Sequence, residues 1–204
     1  MEILITAFEA FLEDSINASQ KVLEKIQDYD FGFNVHTRLL PVEFKASHII
    51  LKQALDDIRP QAVICLGQAK GRAAITIERI AINIDDSTYQ DNAGFTPLDE
   101  TIFEDGENAY FSSLPIKNYV ETLRKKGIPA SVSNTAGTYV CNHVFYSLMY
   151  YIDKFYKNTL GGFIHLPALP AQAKDKANIP TMALEMQFEA LKECILMLKN
   201  VFNS

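Results

Sequence analysis

The feature that most constrains this chain is the alternation of short apolar runs with longer amphipathic stretches. Residues 3–7 and 61–66 are apolar runs of strand length, and residues 33–40 alternate through Phe33, Val35, Thr37 and Leu39. Between them, residues 17–27 place Val22, Leu23 and Ile26 on one helical face. Residues 43–58 bring Phe44, Ile50, Leu51, Leu55 and Ile58 near one stripe. Period 2 marks a strand and period 3.6 a helix, because side chains alternate across one and wind around the other. The alternation continues with an extended β-branched segment over 74–83, a helix over 115–126 entered at Pro115, and a strand over 129–134. An amphipathic helix follows over 141–156, then a strand over 162–166 stopped by Pro167, and a last helix over 182–201. Interleaved strands and helices predict an α/β fold, a three-layer α/β/α sandwich around a mixed, largely parallel sheet. The chain has 204 residues, 48% of them hydrophobic, with no repeat and no linker, which predicts one domain over 1–204. Residues 86–112 form the longest irregular stretch, and long loops in compact domains often serve function.

Charge and cysteine usage narrow the class. The formal net charge is −6, and the longest basic cluster, Arg124-Lys125-Lys126, falls where a helix end favours cations. A nucleic-acid partner is not expected from such a chain. No apolar run approaches the roughly 18 residues of a membrane span, and the apolar start reads as a first strand rather than a leader. Cys65, Cys141 and Cys194 are odd in number, far apart and without a CxxC pair. That argues against a disulfide framework and for a reducing, cytoplasmic setting.

Of the three thiols, Cys65 sits within an apolar strand and Cys194 beside Leu191, Ile195 and Leu198 on the last helix, both core positions. Cys141 follows a strand end and a glycine-containing turn, and it opens a helix. A helix start favours thiolate and offers unpaired N–H groups for an oxyanion, so Cys141 reads as a nucleophile or a structural thiol. Among the histidines, His36 lies in a strand, His48 on a helix with an exposed position expected, and His143 two residues past Cys141, hence on another helical face. His165 ends a strand on the same rim as Cys141 and is the candidate general base, or else a half-buried structural histidine. Glu78 is a carboxylate among β-branched residues, costly to bury without a partner, and an imidazole would serve. Asp85, Asp86 and Asp91 are alternatives that also read as turn residues. A zinc set of Cys141, His143, His165 and Glu78 lacks standard ligand spacing. The run Gly67-Gln68-Ala69-Lys70-Gly71-Arg72 lacks both phosphate-loop patterns, so no metal or nucleotide cofactor is expected.

These segments resemble one family. The run from Gly67 to Arg72, followed by Ile77-Glu78-Arg79-Ile80-Ala81-Ile82-Asn83, resembles the catalytic-glutamate segment of the pyroglutamyl-peptidase I family. Ser133 through Cys141-Asn142-His143 resembles its nucleophile segment, and Gly162-Phe163-Ile164-His165-Leu166-Pro167, with Pro170 and Gln172, its histidine segment. The resemblance runs from about residue 3 to about residue 190 and keeps the family order of motifs.

The resemblance implies a cofactor-free cysteine peptidase that removes an N-terminal pyroglutamyl residue from peptides. Cys141 would be the nucleophile, His165 the general base and Glu78 its orienting group. It implies a lactam pocket built with Phe8, Phe11, Gln68, Tyr139 and Val140, an oxyanion site at the Cys141 N–H with Arg72 or Gln68 nearby, and a homo-oligomer such as a tetramer. The chain departs from the family in the first loop. The family tends toward T-G-F-x-P-F-G-G and then N-P-S; here the run is Thr6-Ala7-Phe8-Glu9-Ala10-Phe11-Leu12-Glu13, then Asn17-Ala18-Ser19. Losing glycine and proline changes which backbone angles the loop favours. Tyr139 and Ala171 replace a usual phenylalanine and glutamate. An alternative reading follows: a homologue that only binds, or that hydrolyses a different small acyl amide.

Overall fold

Six strands form the central sheet of the computed structural model, which describes residues 1–11, 14–174 and 178–202. They are β1 (Glu2–Phe8), β2 (Asn34–Leu40), β3 (Ala62–Gln68), β4 (Ile75–Glu78), β7 (Ala130–Ser133) and β8 (Leu160–Leu166), in the order β2-β1-β3-β8-β4-β7. β5 (Ile80–Ile82) and β6 (Ala109–Phe111) form a separate antiparallel pair. Neighbours in the main sheet are parallel except β8 and β4, which run antiparallel with Thr76 opposite His165.

Helices α1 (Ala18–Gln27), α3 (Ile116–Lys125) and α5 (Leu184–Phe202) cover one face; α2 (Phe44–Ile58) and α4 (Val140–Phe155) cover the other. This is the three-layer α/β/α arrangement expected. Strand β3 shows why a continuous apolar run was needed: Ala62, Ile64 and Leu66 enter the first core, while Val63 and Cys65 enter the second. Among the described residues, no helix is long and apolar enough to cross a membrane.

Two expectations are corrected. The extended segment over 74–83 is not one strand. It breaks at Arg79, whose N–H donates to the Ser133 carbonyl and whose carbonyl accepts from Ser112 N–H, so the chain leaves the main sheet there. The irregular stretch 86–112 also contains β6, a three-residue strand that exists only by pairing with β5.

The chain direction decides what gathers at one rim. The carboxyl ends of β1, β3 and β8 lie together, where α/β folds place their sites. β4 runs the opposite way, so Thr76 lies at that rim and Glu78 two residues below it. Glu78 therefore reaches the end of β8 from inside the protein.

Candidate active site

Glu78 is fully buried and His165 is 4% exposed. Their contact, 2.8 Å between Glu78 Oε1 and His165 Nδ1, supplies the partner that a carboxylate in an apolar segment requires. A carboxylate only accepts, so Nδ1 carries the hydrogen and Nε2 is left as the basic nitrogen. Arg72 donates through Nη1 to the same Oε1 at 2.6 Å and to Thr76 Oγ1 at 2.5 Å, and through Nη2 to the Thr135 carbonyl. Arg72, an expected oxyanion group, also ties Glu78 to the loop before α4.

Cys141 is the second residue of α4. Tyr139 precedes the helix and gives no side-chain cap, and the first-turn N–H groups of Val140, Cys141 and Asn142 have no acceptor among the described residues. Such orphan donors suit a developing oxyanion. Gly67 links the thiol to the imidazole: it is the register partner of His165 across β3 and β8, and a Cβ built on it would lie 2.9 Å from Cys141 Sγ. Only a residue without a side chain lets the sulfur come this close to the strand. The sequence shows Gly67 merely as a strand end.

The charge states follow from burial. Desolvation pushes the Cys141 thiol up to about 12, with the Glu78 charge adding to it and Arg72 opposing. Burial also lowers His165, more than the Glu78 hydrogen bond raises it. For Glu78, burial acts upward but is outweighed by the hydrogen bond and charge of His165, with Ser133 and Arg72, and the carboxyl stays below its ordinary range. Burial thus disfavours the charged form of both the Cys141 thiol and the His165 imidazole. This differs from the thiolate that a helix start alone would favour.

A cavity of about 250 Å³ opens at the thiol. Phe8, Phe11, Gln68, Tyr139 and Val140, the expected pocket residues, all line it. Phe8 packs on Phe163, and Phe11 on Tyr139 at 5.1 Å between ring centres. Tyr139 is pinned through its hydroxyl to the Gln90 carbonyl. Gln68 Oε1 accepts from Ala18 N–H at the start of α1; its Nε2 has no partner among the described residues and is available to a ligand. Asp14 and Lys70 also line the cavity, joined at 2.6 Å in an ion pair that has no signature in the sequence. Asn17 also lines the cavity, with Oδ1 accepting from Ser19 N–H and Nδ2 donating to the Glu9 carbonyl. Of the first-loop departures, Leu12 and Glu13 lie outside the described residues.

The other histidines fall elsewhere. His143 points away from the thiol, as helical geometry requires, so the four side chains weighed as zinc ligands do not converge. Its Nδ1 meets Asp85 at 2.6 Å, making Asp85 the partner of a different histidine from the one for which it was an alternative. His48, expected to be exposed, is half-buried with Nδ1 2.9 Å from His143 Nε2.

A carboxylate beneath an imidazole, and a thiol in the first turn of a helix on an α/β sheet, are the parts of a thiol hydrolase. A family model described as pyroglutamyl peptidase matches residues 1–200, and the chain belongs to that family. The chain is 51% identical over 191 residues to a pyrrolidone-carboxylate peptidase of Thermosipho africanus, covering 94% of this chain and 93% of that one. The crystal structure of Bacillus amyloliquefaciens pyroglutamyl peptidase I superposes with a TM-score of 0.92 at 38% identity, covering 96% of this chain and 95% of that one. Pyrrolidone carboxyl peptidase from Thermococcus litoralis gives 0.94 at 37% identity, with 99% and 95% covered. The comparisons favour a peptidase over the binding-module alternative.

Proposed function

We propose that this chain hydrolyses the amide bond joining an N-terminal pyroglutamyl residue to the rest of a peptide, with Cys141, His165 and Glu78 as its machinery. The observation that carries the reading is the buried Glu78–His165 pair together with the Cys141 thiol packed against Gly67, the register partner of His165. As the thiol approaches the acyl carbonyl, its proton passes to His165 Nε2 and the sulfur bonds to carbon. N–H groups of the first turn of α4 hold the oxyanion. Collapse breaks the C–N bond, His165 returns the proton to the leaving amine, and a thioester remains. Water, deprotonated by the same imidazole, then releases pyroglutamate and regenerates the thiol. Glu78 holds Nδ1 and stabilises the transient imidazolium.

The lactam is small, flat and uncharged, and aromatic walls at Phe8, Phe11 and Tyr139 with a free amide donor at Gln68 suit it. Residues 1–204 act as one catalytic domain in this reading, and a reducing compartment such as the cytoplasm suits a thiol that must stay free. The test is release of aminocoumarin from its pyroglutamyl amide beside a panel of other N-blocked amides. The pyroglutamyl compound is expected to be preferred, and Cys141→Ser to lose roughly a thousandfold or more in kcat with an unchanged melting temperature. Equal turnover of the whole panel, or a fully active Cys141→Ser, would refute the assignment.

A further inference from the structure

Cys141, Asn142 and His143 open α4 and point three ways. Cys141 meets the sheet at Gly67. Asn142 binds the end of β5 and the chain just after it, with Oδ1 accepting from Ile82 N–H and Nδ2 donating to the Ile82 and Ile84 carbonyls. His143 stands between Asp85 of that same segment and His48 of α2. The two residues that follow the nucleophile are therefore anchored, one to backbone and one to ionisable groups that the reaction does not use.

The partners fix where the hydrogens sit. Asp85 only accepts, so His143 Nδ1 carries a hydrogen. The Phe44 carbonyl, 3.0 Å from His48 Nδ1, also only accepts, so that nitrogen carries a hydrogen and shares it with His143 Nε2. The two facing nitrogens thus hold one hydrogen between them. A second proton on His143 Nε2 would set two hydrogens head to head across 2.9 Å unless the His48 hydrogen moves to its own Nε2 and gives up the Phe44 carbonyl; either way one of the two contacts is lost. Burial and the nearby His143 charge lower His48, and burial raises Asp85 against the pull of His143. The ionisable groups on this wall are Asp85 with Glu100 behind it, His48 from α2, and Tyr139 and Asp91 on the far side of Phe44.

We propose that His143, held by Asp85 and His48, is a positioning residue that fixes the first turn of α4, and that a second proton entering the His48–His143 contact releases that turn and helps set the acid limit of activity. The inference rests on Cys141 being the nucleophile.

The test reads the relay directly. Proton–nitrogen spectra of protein carrying isotope-labelled histidine and backbone are followed from about pH 8 to about pH 5, beside kcat and KM over the same range. At the upper end one hydrogen is expected on each Nδ1. As the second proton enters, amide signals of Val140 to His143 are expected to move with the same midpoint, and kcat/KM to fall with a slope approaching two. His48→Gln keeps a donor to His143 without titrating; its limb, normalised to its own plateau, should fall with a slope near one. Asp85→Asn should lower kcat by about tenfold or more with KM within about threefold. Amides that stay put through the second protonation, or a His48→Gln limb that overlays the wild type, would overturn the proposal. Were no pyroglutamyl substrate turned over while the amides still tracked the histidine pair, the peptidase reading would fail and the relay would stand.

Discussion

Replacing Gly67 by alanine isolates the contact between strand and thiol. Gly67 is not among the glycines with positive φ, so alanine fits its backbone and the perturbation is the added methyl group alone. That methyl would lie 2.9 Å from Cys141 Sγ and 2.8 and 2.9 Å from two ring carbons of Phe163. Ordinary contacts of this kind are about 3.5–4.0 Å, so sulfur and ring must each withdraw by roughly 0.6–1.2 Å. Phe163 is wholly buried among Phe8, Phe145 and His165, and its ring has little room to yield. Overpacking of this size costs about 1–3 kcal/mol, and at about 2–4 °C per kcal/mol for a chain this long the melting temperature should fall by roughly 2–12 °C. Moving a nucleophile by about 1 Å costs about a hundredfold in rate, near 2.7 kcal/mol of barrier. KM should change little, because Phe11, Tyr139 and Gln68 stay in place. Steady-state kinetics on pyroglutamyl-aminocoumarin with a thermal melt gives both numbers. Adding Phe163→Leu to the alanine variant removes the ring contacts and leaves the sulfur contact, so stability should partly return while kcat does not. An alanine variant with kcat within threefold of wild type would refute the reasoning, as would recovery of kcat in the double variant.

Arg72→Ala removes a cation that disfavours imidazolium at His165, so the acid limb of kcat/KM is expected to move to higher pH; a pH–rate profile with an unmoved limb would contradict that placement. In the native protein, iodoacetamide should modify one thiol of three, at Cys141, because Cys65 and Cys194 are buried, as mass spectrometry after digestion can show. Its rate should keep climbing above the ordinary thiol pKa of about 8.5, since desolvation raises the Cys141 thiol; a plateau near neutrality would indicate a resting thiolate.

What could be read from the sequence was whatever local chemistry makes conspicuous. Glu78 stood out as a carboxylate where burial is costly, and it lies against His165. His143 was set aside on helical geometry, and it does point away from the thiol. The layers followed from periodicity, and β3 divides its side chains between two cores as a continuous apolar run must. Features made by contact between distant segments stayed hidden. β6 has three residues and no pattern of its own, so only its pairing with β5 makes it a strand. His48 sits at a helical position that looks exposed until Phe103 and His143 are packed against it. The guanidinium of Arg72 could have faced the oxyanion or the carboxylate, and nothing in GQAKGR distinguishes the two. The protonation of Cys141 also depended on burial, which one helix start cannot report.

The antiparallel seam has a consequence for the order in which the enzyme comes into being. β3 and β4 are close in the chain, joined through residues 69–74, yet β8 lies between them, paired with both. During synthesis Glu78 and Cys141 leave the ribosome before the strand bearing His165 does. Until β8 inserts, the sheet has a gap where the imidazole belongs, and the growing chain carries the proposed nucleophile without its proposed base. Closing that gap requires contacts between segments some 80–100 residues apart, the kind that form late because loop closure must precede any gain from pairing. The last strand in chain order is thus the one that brings the proposed base to the proposed nucleophile, and on this reading the site stays incomplete until β8 has paired with β3 and β4.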